Sequence, residues 1–178
     1  MRFKWRKKTA WCTLWCVTAV IILAFAPVIF VFAWHATHST KKEFAGYRFT
    51  VPRDFVPVPR NYLPSAPAAG GVAFVHGQTQ LDSRFFHLSA IMIDQTGHRF
   101  DLSHWESTIT RSAGQIGLVA PQTFRTTMGG MPAACYQEHV QSDWAMVCLS
   151  QDGIAMQYTG DFAHIPQARA MLEGAQKL

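Results

Sequence analysis

The chain has 178 residues, 49% of them hydrophobic and 15% charged, and a formal net charge of +5. Residues 1–42 hold seven basic groups and no acid, whereas residues 43–178 hold nine basic and eleven acidic groups, a net −2. The basic excess belongs to the N-terminal flank, so the rest of the chain has no electrostatic support for nucleic-acid binding, although it is long enough for one domain with a real core.

Residues 9–34 read TAWCTLWCVTAVIILAFAPVIFVFAW without a charge. About 20 apolar residues suffice to cross a bilayer, so this run predicts a transmembrane helix. Arg2, Lys4, Arg6, Lys7 and Lys8 precede it, which by the positive-inside rule keeps residues 1–8 cytoplasmic and exports the C-terminal side of the run. Trp11, Trp15 and Trp34 suit an aromatic belt, and Pro27 is tolerable in a membrane helix. A cleaved signal peptide fits less well: the run is long, and the small-x-small site Ala24-Phe25-Ala26 is followed by Pro27. The expectation is an uncleaved single-pass anchor in the inner (cytoplasmic) membrane, with residues 35–43 as connector, residues 44–178 as exported domain, and the lipid bilayer as one partner. Cys12 and Cys16 share a helical face, where small apolar helix residues explain them better than palmitoylation, zinc or redox work. His35 and His38 read as part of a polar spacer, because two ligands do not make a metal site.

Residues 47–51 alternate apolar and polar and predict a first strand. Pro52, Pro57, Pro59, Pro64 and Pro67 then predict an extended, proline-stiffened loop. Long loops often carry function, so Pro57, Pro59, Tyr62 and Pro64 are the candidate binding residues. Residues 71–76 and 84–94 predict two paired strands, with His76 and His87 able to face one another. Ser103 and Glu106 fit a capping box, opening a helix whose apolar stripe is Leu102, Trp105, Ile109, Ala113 and Ile116. A four-strand meander comes next, over residues 122–127, 134–140, 144–150 and 154–159, with turns at Gly129-Gly130, Gln141-Ser142 and Asp152-Gly153. Pairing Val140 with Asp143 sets Cys135 opposite Cys148. Opposed residues in such a pair lie within disulfide reach, and an exported domain sits where disulfides persist. A disulfide is therefore expected. A closing helix over residues 163–178 would bury Ile165, Ala168, Leu172 and Ala175, with Gly174 weakening its end.

No nucleophile elbow, zinc-protease helix, C-x-x-C pair or phosphate-cradling glycine fingerprint occurs. Histidines 76, 87, 98, 104, 139 and 164 are scattered among strands and loops. Asp94 and Asp101 flank the turn holding His98, where a Ser–His–Asp or metal cluster is conceivable, but chance clustering explains the set better. The residues name no catalytic group, no metal site and no cofactor.

The opening YRFTVPRDF, the helix SHWESTI, the TMGGMPAACY turn, the CLSQDGIAMQYTGD hairpin and the closing IPQARAML succeed one another in an order that resembles the PsbP-like family of α/β domains. The resemblance implies an antiparallel sheet with packed helices and a binding or assembly role, and it supplies no catalytic residues. The fold class expected is thus α+β: an N-terminal transmembrane helix followed by one domain with a mainly antiparallel sheet and two packed helices. The function expected is that of a membrane-tethered, non-catalytic binding or assembly module with an envelope protein as partner. The alternative is an envelope hydrolase or metal-dependent enzyme.

Overall fold

Strands rich in β-branched, aromatic and sulfur-containing residues, alternating in and out, build the centre of this chain. The computed structural model describes residues 3–58, 71–76, 89–115, 122–140 and 143–178. In chain order these form α1 (Phe3–Thr37), β1 (Lys41–Phe44), β2 (Tyr47–Thr50), β3 (Phe55–Val58), β4 (Val72–His76), β5 (Ala90–Gln95), α2 (Leu102–Gln115), β6 (Gln122–Met128), β7 (Met131–Val140), β8 (Asp143–Ser150), β9 (Ile154–Gly160), a 3-10 turn (Phe162–His164), α3 (Ile165–Glu173) and β10 (Gln176–Lys177). The larger sheet has seven strands in the order β3-β4-β5-β9-β8-β7-β6, and every neighbouring pair is antiparallel. A smaller sheet, β1-β2-β10, is antiparallel too.

One face of the large sheet carries the core. Phe74, Ile91, Ile93, Met146, Met156 and Tyr158 are fully buried there with Tyr47 and Phe49 of β2 and the Ile165, Ala168, Met171, Leu172 stripe of α3. The small sheet and α3 therefore form the cover on that side. Burying each large side chain is worth about 1.5–3 kcal/mol, which makes this layer the main source of stability. The other face receives α2, where the Trp105 and Tyr136 rings lie 5.8 Å apart.

The meander has the expected register. Val140 pairs with Asp143, and Cys135 pairs with Cys148 at a Cα separation of 4.0 Å, joined by a buried disulfide. Cys12 and Cys16 are free and exposed.

Four expectations are corrected. The first is the transmembrane helix. Although α1 runs for 35 residues and past Pro27, no helix among the described residues is long and apolar enough to cross a membrane. Trp11, Thr13, Trp15 and Thr18 interrupt the aliphatic run, and its C-terminal turns, which Trp34 and His35 were to lead out of the lipid, are docked on protein instead: Val31 is buried, and His35 bonds to β3. Second, the cap of α2 is Asp101, whose Oδ1 accepts the backbone N–H groups of Ser103 and His104 at 3.0 and 3.3 Å. Glu106 is drawn instead to Arg125 on β6, at 2.6 Å. Third, β3 lies inside the proline-rich stretch, because an edge strand tolerates a residue such as Pro57 that lacks an N–H donor. Fourth, the chain beyond Gly174 forms β10, pairing Gln176 with Arg48 and Lys177 with Tyr47. Strand β1 joins it on the opposite side of β2.

A polar knot ties the small sheet to the large one. The Tyr47 hydroxyl donates to Asp152, which also accepts from Ser150 at 2.7 Å and lies 3.4 Å from the Lys177 ammonium. Gly129 makes room for this tyrosine: its φ is +57°, and a Cβ there would lie 2.5 Å from the Tyr47 ring. Burial opposes ionisation of Asp152, but the hydrogen bonds from Tyr47 and Ser150, with Lys177, outweigh it and hold the carboxyl below its ordinary range. Tyr47 is pushed well up by burial and by that carboxylate.

The knot's contribution should therefore be complete between about pH 5 and pH 9. It should shrink below about pH 4, where unfolded Asp152 takes up a proton first, and above about pH 10, where unfolded Tyr47 ionises first. Tyr47→Phe is expected to cost about 1–2 kcal/mol at pH 7 and to shrink the alkaline limb in urea melts, leaving the part that the raised Tyr136 and Tyr158 phenols contribute. An unaltered pH profile would contradict the assignment. Replacing both Cys135 and Cys148 with Ala is expected to cost about 3 kcal/mol, read as a lower denaturation midpoint than that of the non-reduced parent.

Candidate functional site

One end of the large sheet is edged by rings. It comprises the start of β3, the end of β4, the start of β5, the end of β9, the start of β8 and the end of β7, as the antiparallel registers require. Phe55 opens β3 and is fully buried. Its ring lies edge-on to His76 at 5.3 Å and to His164 at 6.2 Å, and these two imidazoles stack on each other at 3.9 Å. Two residues before His164, Phe162 packs on Trp144 at 4.8 Å, and Trp144 meets His139 edge-on at 5.4 Å. The row thus crosses from β3 to β7 by way of the 3-10 turn.

The turn is held in place by a second set of bonds. Asp161 Oδ1 accepts the Ala163 N–H at 2.9 Å, capping the turn. The Tyr158 hydroxyl donates to the Asp161 carbonyl at 2.6 Å and lies 3.3 Å from Ser89 Oγ, which accepts the Asp161 N–H at 3.1 Å. Burial pushes the Tyr158 phenol up to about 12, so it stays a neutral donor across the physiological range. Gly160 has a φ of +136°, and a Cβ there would collide with Ser89, so the chain can leave β9 this way only with glycine.

Helix α1 is seated at the β3 end of the row. The His35 Nε2 atom is 2.8 Å from the Phe55 carbonyl oxygen, and Val31 is buried one turn earlier. Trp34 stacks on His38 at 5.2 Å and carries the Lys42 ammonium 5.4 Å from its ring centre. His35 Nδ1 and Gln167 Oε1 are buried without a hydrogen-bond partner, and Gln167 donates to Asp54, the residue before Phe55, at 3.0 Å. Of the two imidazoles expected to be a spacer, His35 is therefore part of a joint, while His38 is exposed and packs against Trp34 and Thr37 of its own helix.

Of the candidate binding residues, Pro57 lies half-buried in edge strand β3, paired with Phe74. Pro59, Tyr62 and Pro64 lie outside the described residues, as does His87. His76 stacks on His164. The Asp94–His98–Asp101 stretch forms no triad: Asp101 is spent on the α2 cap, and His98 is exposed on its turn. Among the described residues no group of three His, Cys, Asp or Glu side chains is placed to hold a metal ion. A cleft of about 570 Å³ opens beside the start of α2, lined by Arg99, Asp101, Ser103, Arg125 and Gln151 among others. Two of its charges are already engaged within the fold, Arg125 with Glu106 and Asp101 with the helix cap.

No protein-family model matches the chain, and no curated protein matches it. Phe55, Trp144 and Phe162 were not legible as site residues in the sequence, because they come from three separate elements with no mutual spacing. His76 and His164 were among the scattered histidines, but only the strand order brings them together.

His35→Ala removes the bond that fastens α1 to β3. It is expected to speed amide exchange at residues 31–38 severalfold while changing global stability by about 1–2 kcal/mol at most. Exchange unchanged at those residues would contradict the joint. Arg125→Ala, by contrast, breaks a half-exposed ion pair and is expected to leave the urea denaturation midpoint nearly unchanged.

Proposed function

We propose that this chain is a membrane-associated, non-catalytic binding or assembly module, brought to lipid by α1 and working in an oxidising envelope compartment. The observation that carries the reading is α1 itself. Every described residue from 11 to 23 is exposed, and so are Ile29, Phe30 and Phe32. An exposed apolar surface of this extent is too large for a soluble monomer to leave in water. Lipid is the covering we infer for it. Arg2 and the basic residues of α1's first two turns, with Lys41 and Lys42 after the helix, suit anionic headgroups.

The buried Cys135–Cys148 bond supports the compartment, since such bonds persist where thiols are not kept reduced. Edge strand β3 is the proposed partner-facing edge. Pro57 withholds one backbone donor there, which discourages indiscriminate strand addition and leaves recognition to side chains. The order of strands, helix, meander and closing helix supports kinship with PsbP-like domains, which we also propose. The hydrolase or metal-dependent alternative has the stacked His76–His164 pair in its favour. Metal analysis of the purified full chain together with an ester and peptide panel addresses it, and bound metal or turnover would replace the binding-module reading.

Flotation of the purified chain with phosphatidylcholine vesicles tests the proposal. The protein is expected to rise with the vesicles and to stay with them in high salt, because apolar contact is not screened. Protein left at the bottom of the gradient would contradict it.

A further inference from the structure

We propose that β6 is a strand-addition edge for a second copy of this chain, pairing antiparallel with its own equivalent about a two-fold axis at Arg125. The inference is independent of what covers α1. The two outer strands of the large sheet, β3 and β6, differ in what their free edges offer. At β3 the edge is closed. The Phe55 N–H bonds the Pro52 carbonyl at 3.0 Å, the Phe55 carbonyl meets His35, and Pro57 has no N–H to give. At β6 the edge is open. The Pro132 carbonyl accepts the Gln151 N–H at 2.9 Å, so Pro132, Ala134 and Tyr136 of β7 turn their backbone groups to β8, and Ala133, Cys135 and Gln137 turn theirs to β6. The residues opposite these last three, Thr126, Phe124 and Gln122, therefore point their backbone groups inward. Thr123, Arg125 and Thr127 point theirs outward, and all three residues are exposed. Among the described residues no other backbone group bonds to these outward amides and carbonyls.

An open strand edge takes extended backbone, and the side chains around this one select a second copy. An axis at Arg125 sets Thr123 opposite Thr127 of the second copy, and Thr127 opposite its Thr123. With Arg125 facing its own equivalent, these pairs exchange about six backbone bonds. Threonine opposite threonine is a favourable cross-strand pair. The two arginines meet at the axis, but each arrives neutralised by its own Glu106 at 2.6 Å. On the core face, α3 lies along β6. Arg169 holds its guanidinium 4.7 Å from the Phe124 ring, and Glu173 accepts the Thr126 hydroxyl at 2.8 Å. The same axis puts Phe124 opposite Thr126 of the second copy, which brings Arg169 of each copy beside Glu173 of the other. Cations and anions thus alternate across the junction, the self-complementarity that a two-fold interface requires. Neither proline nor lysine stands in β6 to refuse a strand. Helix α1 roots on β3, roughly 30 Å away across the sheet, so it does not obstruct the approach.

Light scattering on the full chain in a mild detergent, corrected for bound detergent, tests this together with disulfide trapping. At micromolar concentration the parent is expected to have the mass of two chains, and Thr127→Pro the mass of one. The proline removes an outward N–H that the sheet does not use, as Pro57 does in β3, so the strand should still form. Trapping does not depend on that variant folding. Chains with Cys12→Ser and Cys16→Ser carry Arg125→Cys, Thr123→Cys, or Thr123→Cys with Thr127→Cys. Oxidation by a copper phenanthroline complex is expected to link two copies through position 125 alone and through the 123 and 127 pair. Linking through 123 alone should be at least about tenfold weaker, because the two 123 positions lie roughly 14 Å apart along the strands. A parent with the mass of one chain would overturn the inference. So would a two-chain mass that survives in Thr127→Pro, or linking at 123 equal to that at 125, since either would place the association away from β6.

Discussion

Phe55 serves two masters at the start of β3. Its backbone carbonyl meets His35 from α1, while its ring, fully buried, abuts His76 from β4 and His164 ahead of α3. A helix of about 52 Å would otherwise be attached to the domain only through residues 38–40. With Phe55 in place, the root of α1, the edge of the large sheet and the approach to α3 become one packed unit. Removing the ring would open a cavity between the sheet edge and the approach to α3, and such losses in cores cost about 3–5 kcal/mol.

The remainder of the domain gives that joint a rigid base. The meander of β6 to β9 has a register pinned by the Cys135–Cys148 bond, and β5 extends it by pairing with β9 from Ala90 to Gln95. On the core face, β2 and α3 lie over this sheet, and the Tyr47–Asp152–Lys177 knot fastens them at the end away from α1. One end of the sheet is therefore locked by charge and hydrogen bonds, and the other by rings. That division ties stability to pH at one end and leaves apolar surface available at the other.

The sequence was most readable where contacts are local. The meander, its turns and the Cys135–Cys148 register come from alternation and from Gly and Asp-Gly turn chemistry, since each hairpin is decided by neighbours along the chain. Helix α2 was legible at Leu102, Trp105 and Ile109 of its stripe, Ile116 lying outside the described residues, but not in its cap: Asp101 lies two residues before Ser103, and a nearby arginine on β6 claims Glu106, which no local pattern announces. β1 was hidden because lysines suit an exposed edge strand but do not signal one, and β10 because a two-residue strand exists only by pairing with β2. The long apolar run was overread as a membrane crossing: periodicity reports that a helix is apolar, not that its last turns will be held by a sheet edge. The ring-edged end of the sheet was invisible for a related reason. Phe55, His76, Trp144 and Phe162 become neighbours only when the strand order β3-β4-β5-β9-β8 exists.

Contacts between the α1 root and the ring row, observed in the full chain itself, test the account most directly. In nuclear Overhauser spectra of the chain with phosphatidylcholine bicelles, cross-peaks should connect Val31 and His35 to Phe55, and Phe162 to Trp144, with the lipid acyl protons reaching α1. Cross-peaks within α1 alone, with none from its last turns to Phe55, would contradict the joint.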